Sequence, residues 1–533
     1  RVRWALAAVA VAAAVWVVNE PTLDYGFAYD DQAVVQERPP SWQQGGSEFL
    51  ATRGWGVGRH AVLLSLDLDR RDPLTTRPFR ITNLVLATAN ALLVLALAHA
   101  LGLSPAGAIT TALLFAVQPT HVDAVVSIVG RAELMAAFGV LGALWLHVRG
   151  YGGGAAGAVF AGVLFFIGLA SKESAVCIFV LLALLELFRP GPAFGVTVAR
   201  RPRGWPLAYL VAVAVWLLLV ARNFATVDTI AYADNPLAYV TAGERILAAA
   251  EILWRYVAST VWPFGLRPDL GYAEITTSSS AGVISWLAWA GLVATALALR
   301  RRAPLVGFSL LWLPAAFAVT GNVVMPIGTM MAERLLYLPS VGPCLLAGAF
   351  VDAIRRDTTM RRWGGRAALA VALLALAIAY DHRARVWIDD DHYHEQAVAL
   401  SPRSAKAHYN LGLSYARRGL YEESEQSFAR ALAVIPRFAA AAGYRAEALR
   451  RLDRVDDAVS VYEEYLRAVP DDVEALRNVA GLQELIGRND DALRSIRRAV
   501  ELAPERADLL AALTEIEARA RRAAVERPSP TLP

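Results

Sequence analysis

The chain is predicted to be all-α: a polytopic helical membrane domain of about eleven spans over residues 1–381, then an α-solenoid of 34-residue repeats over 382–524 and a disordered tail over 525–533. Three observations carry this. Of 533 residues, 56% are hydrophobic and only 19% charged, with a mean hydropathy of +0.40, too apolar for a soluble chain of this length. Apolar residues in the first 380 positions run in blocks approaching the roughly 20 residues that a bilayer crossing needs. Finally, Pro402, Pro436, Pro470 and Pro504 recur at a spacing of 34, a period that marks stacked helix pairs.

Candidate spans lie near residues 4–18, 81–101, 106–118, 132–148, 154–170, 174–188, 205–222, 281–299, 304–319, 335–353 and 366–380. The first has the look of a signal peptide, but no small-residue cleavage site follows Val18, so it is expected to remain as a span. Residues 244–262 carry Glu244, Arg245, Glu251 and Arg255 at helical spacing and are read as an amphipathic helix in the outer interface. Arg1 and Arg3, Arg189, Arg200, Arg201 and Arg203, Arg300 to Arg302, and Arg355 to Arg366 then fall on one side, which the positive-inside rule makes cytoplasmic. An odd span count puts the repeats on the periplasmic or outer side of the membrane, a bacterial inner membrane in this expectation.

The net charge of +4 comes from these flanking arginines, so it signals topology rather than a nucleic-acid partner. Lys172 and Lys406 are the only lysines. Cys177 and Cys344 both fall in apolar runs, which excludes a disulfide framework and leaves the redox compartment unspecified.

The outer loops, the longest of them 19–80 and 223–280, have a different chemistry. They hold Asp24, Asp30 and Asp31, then His121, Asp123, Arg131 and Glu133, then Lys172 and Glu173, then Glu333 and Arg334. These charges sit at helix ends, where they avoid the roughly 2.5–3.5 kcal/mol cost of the bilayer centre. One polar site roofed by several helix ends is the expected result. His121 and Asp123 beside the acidic pair could hold a divalent ion, but no spacing demands one.

In the C-terminal part, the repeats run over about 403–436, 437–470 and 471–504, with a closing helix over 505–524. The period is that of tetratricopeptide repeats. Leu411, Gly412, Tyr415, Phe428 and Ala431 occupy the packing positions of the first repeat; Ala446, Ala458 and Tyr462 follow in the second, and Ala480, Ala492 and Ala499 in the third. Small residues let paired helices approach and aromatics fill the space between pairs. The inner face is expected on helices beginning near Ala405, Ala439 and Val473, with Lys406, His408, Asn410, Tyr444, Arg445 and Asn478 as contacts for an extended peptide. The alternative is that these residues only solvate the surface and the repeats serve assembly.

Five stretches, FAYDDQAVV (27–35), PFRITNLVLATANALL (78–93), QPTHVDAVVSIVGRAELMAA (118–137), SKES (171–174) and AERLLYLPSVG (332–342), together resemble the transmembrane and tetratricopeptide repeat containing protein O-mannosyltransferases. That family is similar to the GT-C glycosyltransferases. The resemblance implies a GT-C-type membrane domain, a sugar donor linked to polyprenyl (dolichyl) phosphate, and a Ser or Thr acceptor on exported protein. It also implies an acidic catalytic residue in the first outer loop. Mannose enters only through this resemblance. A carboxylate at the interface can accept the hydroxyl proton as an oxocarbenium-like sugar leaves its phosphate, and a nearby cation can stabilise that phosphate.

Asp31 and Asp30 are the candidates, Asp31 slightly preferred. Arg334, with Arg131 or Lys172 as a second donor, is the candidate phosphate ligand. His121, Asp123, Glu133, Glu173 and Glu333 would support them. Each also has a structural alternative: a solvated turn for the acidic pair, boundary ion pairs for Arg131 with Glu133 and for Glu333 with Arg334, and snorkelling for Lys172. The glycine-rich stretches at 54–58 and 151–154 follow no strand and open no nucleotide-binding helix, which argues against a nucleotide-sugar donor. Two other functions stay open: a non-catalytic scaffold that recruits envelope proteins through its repeats, and a GT-C enzyme whose acceptor is a lipid or glycan.

Overall fold

A computed structural model describes residues 2–38, 58–70, 75–149, 155–188, 204–221, 230–268, 279–354 and 359–525. Both glycine-rich stretches fall essentially outside them. The described residues form helices and no strand. They group into two compact units, one containing residues up to 268 and from 279 to 393, the other running from His394 onward. The first unit extends past the expected boundary at 381 because the residues that follow its last long helix pack back on the loop after the first.

The first unit contains α1 (Val2–Asn19), α2 (His60–Asp69), α3 (Arg77–Ala100), α4 (Pro105–Ala116), α5 (Val122–Val125), α6 (Arg131–Arg149) and α7 (Ala155–Leu169). It continues with α8 (Ile178–Phe188), α9 (Trp205–Val220), α10 (Ala242–Val261), α11 (Ser279–Leu299), α12 (Pro304–Ala316), α13 (Val341–Ile354) and α14 (Thr359–Ala384). A helix stands at each of the eleven expected spans. Five segments are long and apolar enough to cross a membrane by length and composition: Val2–Asp24, Arg77–Ala100, Arg131–Arg149, Ser280–Leu299 and Gly364–Trp387. Others are shortened where backbone is spent on the polar end. Of the expected 335–353, the first residues form a 3-10 turn, Glu333–Leu336, and the helix begins only at Val341; of 174–188, a 3-10 turn Glu173–Cys177 precedes Ile178.

α3 is central, packing on α1, α4 and α6, and α6 is the most enclosed long helix while α14 faces outward along most of its length. α6 and α7 touch backbone to backbone: a Cβ at Gly139 would lie 2.5 Å from the Leu164 carbonyl oxygen and 2.8 Å from Gly168. α10 is amphipathic as expected. Ala249, Ile252, Leu253 and Tyr256 are buried, Trp254 stacks on Trp289 of α11 at 4.4 Å, and Glu251 pairs with Arg255 at 2.8 Å.

The second unit holds three helix pairs, α16 (Ala405–Arg417) with α17 (Tyr421–Val434), α18 (Ala439–Arg451) with α19 (Val455–Ala468), and α20 (Val473–Leu485) with α21 (Asn489–Leu502), closed by α22 (Ala507–Val525). The α15 helix (Asp390–Leu400) precedes them. Ser404 and Asp472 cap α16 and α20 by accepting from the Ala407 and Ala475 amides at 3.0 Å each, satisfying donors that a helix start leaves open. Phe428, Ala431, Ala446, Ala458, Ala480, Ala492 and Ala499 are buried at the expected packing positions. Gly412 is required by its neighbour, since a Cβ there would meet the Phe428 ring at 2.7 Å.

Candidate functional site

The loop after α1 is shaped by the first turns of α3. Arg80, wholly buried, donates from Nη2 to the Gly26 carbonyl at 2.6 Å and from Nη1 to the Val126 carbonyl, and Asn83 Nδ2 donates to Ser127 O at 2.9 Å. One helix start thus ties the acidic loop to the 119–130 segment. Asp31 completes the tie: 0% exposed, its Oδ1 accepts from the Val129 amide at 3.1 Å and from Ser127 Oγ at 3.2 Å. Burial pushes its carboxyl up to about 6 against the pull of Arg80. Asp30 is only half-buried and lies within electrostatic reach of Arg334 and Tyr393. Immediately before the pair, Tyr29 holds a left-handed φ of 56°, which a bulky residue adopts only under constraint.

Arg334 follows the 119–130 segment in space. Its amide donates to Asp123 Oδ2 at 3.1 Å, its Nη1 lies 3.8 Å from Oδ1, and its side chain is 26% exposed. Asp123 and Asp30 raise the guanidinium above its ordinary range although burial opposes them. The site therefore presents Arg334 as a partly open cation among carboxylates.

The other predicted cations are spoken for. Arg131 is 0% exposed and donates from Nε to Asn83 Oδ1 (2.9 Å), from Nη1 to Ser65 O (2.8 Å) and from Nη2 to Phe79 O (2.9 Å), with Asp69 Oδ2 at 2.6 Å. It braces α2 and α3 rather than facing a ligand. Lys172 is buried against Glu133, its ion-pair partner, so it does not snorkel. Neither of the local ion pairs named above as structural alternatives forms. Arg131 pairs with Asp69 and Glu133 with Lys172; Glu333 pairs with Arg383 of α14 at 2.8 Å while Arg334 goes to Asp123. Burial pushes the Glu333 carboxyl up to about 7 despite Arg383. Glu173 is partly exposed and 3.4 Å from Arg59.

His121 and Asp123 face different partners, His121 the Ser340 hydroxyl and Asp123 the Arg334 amide. His121 Nε2 lies 2.8 Å from Ser340 Oγ, which also reaches the Tyr337 carbonyl oxygen at 2.9 Å, and the His121 ring lies 4.5 Å from both Phe115 and Tyr337. Burial pushes the imidazole down to about 3, so it stays neutral. Among the described residues no three His, Cys, Asp or Glu side chains converge as a metal site.

In the repeats, a groove of about 560 Å³ is lined by α18, α20 and α22 with Tyr462 of α19, and includes Glu447, Arg450, Arg477, Asn478 and Glu515. Of the six expected contacts only Asn478 lines it, its Nδ2 donating to Tyr462 Oη at 3.1 Å. His408 is corrected: it is buried, with Nε2 2.9 Å from the Pro402 carbonyl oxygen, so it holds a turn. Tyr444 is exposed and stacks on Phe428 at 5.8 Å, Arg445 donates to Glu425 at 2.7 Å, and Lys406 and Asn410 are half-buried on α16. Residues that sequence reasoning missed are Arg80, Asn83, Asp69, Arg383, Asp390 and Tyr393. Arg80 and Asn83 lie inside the quoted PFRITN motif, whereas the others carried no signal in the sequence.

Models of the tetratricopeptide repeat match residues 405–438, 424–473 and 443–507. Among curated proteins, the chain is 26% identical to "Protein O-mannosyl-transferase Tmtc3" of Drosophila melanogaster over 382 residues, covering 61% of this chain and 40% of that protein. It is 26% identical to "Protein O-mannosyl-transferase F38B6.6" of Caenorhabditis elegans (62% and 46% covered) and to "Protein O-mannosyl-transferase TMTC4" of Mus musculus (60% and 48%). Among solved structures, the P58(IPK) TPR domain aligns at a TM-score of 0.23 and 14% identity, over 70% of this chain and 96% of that one. The chain spans less than half the length of these three curated relatives. By sequence it is similar to the transmembrane and tetratricopeptide repeat containing protein O-mannosyltransferases, and tetratricopeptide repeats form its C-terminal end.

Proposed function

We propose that the chain is a membrane glycosyltransferase that moves a sugar from a polyprenyl-phosphate-linked donor to a Ser or Thr hydroxyl of an exported protein, with Asp30 as the base and Arg334 facing the donor phosphate. The observation that carries this is the meeting of Asp30, Arg334 and Asp123 at the same end of the bundle, with the guanidinium partly open. Asp30 takes precedence over Asp31 because a base must reach the acceptor, and Asp31 is sealed behind Ser127 and Val129. The hydroxyl oxygen attacks the anomeric carbon and the bond to the phosphate oxygen breaks with its electron pair leaving on the phosphate. The proton passes to the Asp30 carboxylate, and Arg334 stabilises the charge that develops. One displacement inverts the anomeric centre.

Mannose as the sugar is supported by the names of the relatives, and the lipid donor by a site at helix ends, where a headgroup would sit. The arginine-rich loops suit the cytoplasmic side of a bacterial inner membrane, which leaves the site and the repeats on the periplasmic side. The repeat groove would hold an extended acceptor segment. The test is Asp30→Asn assayed with polyprenyl-phosphate mannose and a Ser/Thr peptide. Loss of a positioned base costs about 10²–10⁴-fold, and wild-type turnover would return the chain to the scaffold reading.

A further inference from the structure

The acidic loop is held from the far end of the first unit. The Tyr29 amide donates to Asp390 Oδ1 at 2.9 Å, and the Gly26 amide to the Ile388 carbonyl at 2.7 Å. The Tyr29 ring stacks on Tyr393 at 5.1 Å, and Tyr393 in turn packs on buried Trp387 at 4.6 Å. Asp389 Oδ1 accepts from the His392 amide at 2.8 Å, fixing the turn that presents Asp390 and Tyr393, both largely buried. The residue so gripped is Tyr29, whose left-handed backbone persists only where surroundings over-determine it, and the residue it turns is Asp30. The same stretch of chain reaches the other side of the site, since Arg383 pairs with Glu333, the neighbour of Arg334.

We infer that the segment Arg385–Tyr393 is a brace that sets the base against the phosphate-facing cation, with Asp390 and Tyr393 as positioning residues acting through Tyr29. This rests on Asp30 being the base. Neither side chain needs to touch substrate: the Asp390 carboxylate and the Tyr393 ring fix a strained φ, and that φ decides where the Asp30 carboxylate points. A reacting group misplaced by about 1 Å loses on the order of 10²-fold in rate, so the brace should be read in turnover rather than in donor binding.

The experiment uses the full chain in proteoliposomes with polyprenyl-phosphate mannose and a Ser/Thr peptide, and compares Asp390→Ala, Asp390→Asn, Tyr393→Ala, Tyr393→Phe, Asp30→Asn and the double variant Asp30→Asn/Asp390→Ala. Both alanine variants should lose on the order of 10²-fold in kcat with donor KM little changed. Asp390→Asn keeps an acceptor for the Tyr29 amide and Tyr393→Phe keeps the stack, so both should stay within a few-fold of wild type. The double variant should be no slower than Asp30→Asn alone, since residues acting as a unit are not additive. Hydrogen exchange of the 26–31 peptide should rise in Asp390→Ala and not in Asp390→Asn. Wild-type kcat in Asp390→Ala with an inactive Asp30→Asn would overturn the brace and leave the base standing; equal losses in the alanine and conservative variants would overturn it as well. Wild-type turnover in Asp30→Asn would overturn both.

Discussion

Asp31→Asn is the substitution that best separates the two members of the acidic pair. In the fold, the Asp31 carboxyl is 0% exposed and titrates at about 6 instead of 3.8. Roughly two units at about 1.4 kcal/mol each make its ionisation at neutral pH cost about 3 kcal/mol. Because the folded value lies above the unfolded one, the protonated carboxyl stabilises the fold. That contribution is complete below about pH 3.8 and is lost as pH rises through about 6. Asparagine removes the titration and keeps Oδ1 as acceptor for Val129 and Ser127. Its new amide replaces Oδ2, a buried atom with no hydrogen-bond partner, so an unsatisfied donor offsets about 1–3 kcal/mol of the gain. Asp31→Asn should therefore be between equal to wild type and about 2 kcal/mol more stable at about pH 7.5. It should also lack the gain in stability that wild type shows between about pH 7 and pH 5. Intrinsic tryptophan fluorescence during heating of the purified protein in detergent, repeated across pH, measures both, and sugar transfer should persist. A lower melting temperature at about pH 7.5, an unchanged pH slope, or loss of transfer would refute the assignment of Asp31 as the buried tie.

Arg334→Ala should raise the KM for the lipid-linked donor, and Arg334→Lys should recover only part of it because an ammonium lacks the bidentate fork; steady-state kinetics with varied donor checks this. Lys172→Met strands Glu133 in a buried setting and should destabilise by about 3–5 kcal/mol, whereas adding Glu133→Leu should restore much of it, both read by thermal unfolding. An alkaline phosphatase reporter fused after residue 381 should be active and one fused near residue 195 inactive if the arginine-rich loops face the cytoplasm.

Apolar blocks marked a helix at each of the eleven expected positions because hydropathy is a property of the segment itself, whereas α2 and the short α5 lie outside those blocks. The same signal is blind to where a helix gives way to 3-10 turns, so 335–353 was expected as one span although its helix begins at Val341. In the repeats, proline phase located the starts at Ala405, Ala439 and Val473 because a proline cannot continue the preceding helix. What the sequence does not carry is the choice of partner. Arg131 beside Glu133 and Glu333 beside Arg334 suggest local pairs, but helix ends point such neighbours to different elements, and Asp69, Lys172, Asp123 and Arg383 were nearer in space. Likewise Asp30 and Asp31 are equivalent as letters, and only the amide of Val129 and the hydroxyl of Ser127 distinguish them. His408 sits at a plausible surface position until the Pro402 carbonyl claims it.

The distance along the chain between these partners has a consequence for biosynthesis. Arg334 is separated from Asp123 by 211 residues, and Asp390 from Tyr29 by 361. A nascent chain arrested before residue 383 would already carry Glu333 without the arginine that neutralises it, and Tyr29 without the carboxylate that holds its backbone. The polar end of the bundle is therefore finished only when Arg383 and Asp390 have been made, after Tyr29 has waited for the 361 residues that separate it from Asp390. A shortened product would leave the Glu333 carboxyl without its arginine and the Tyr29 backbone without its clamp.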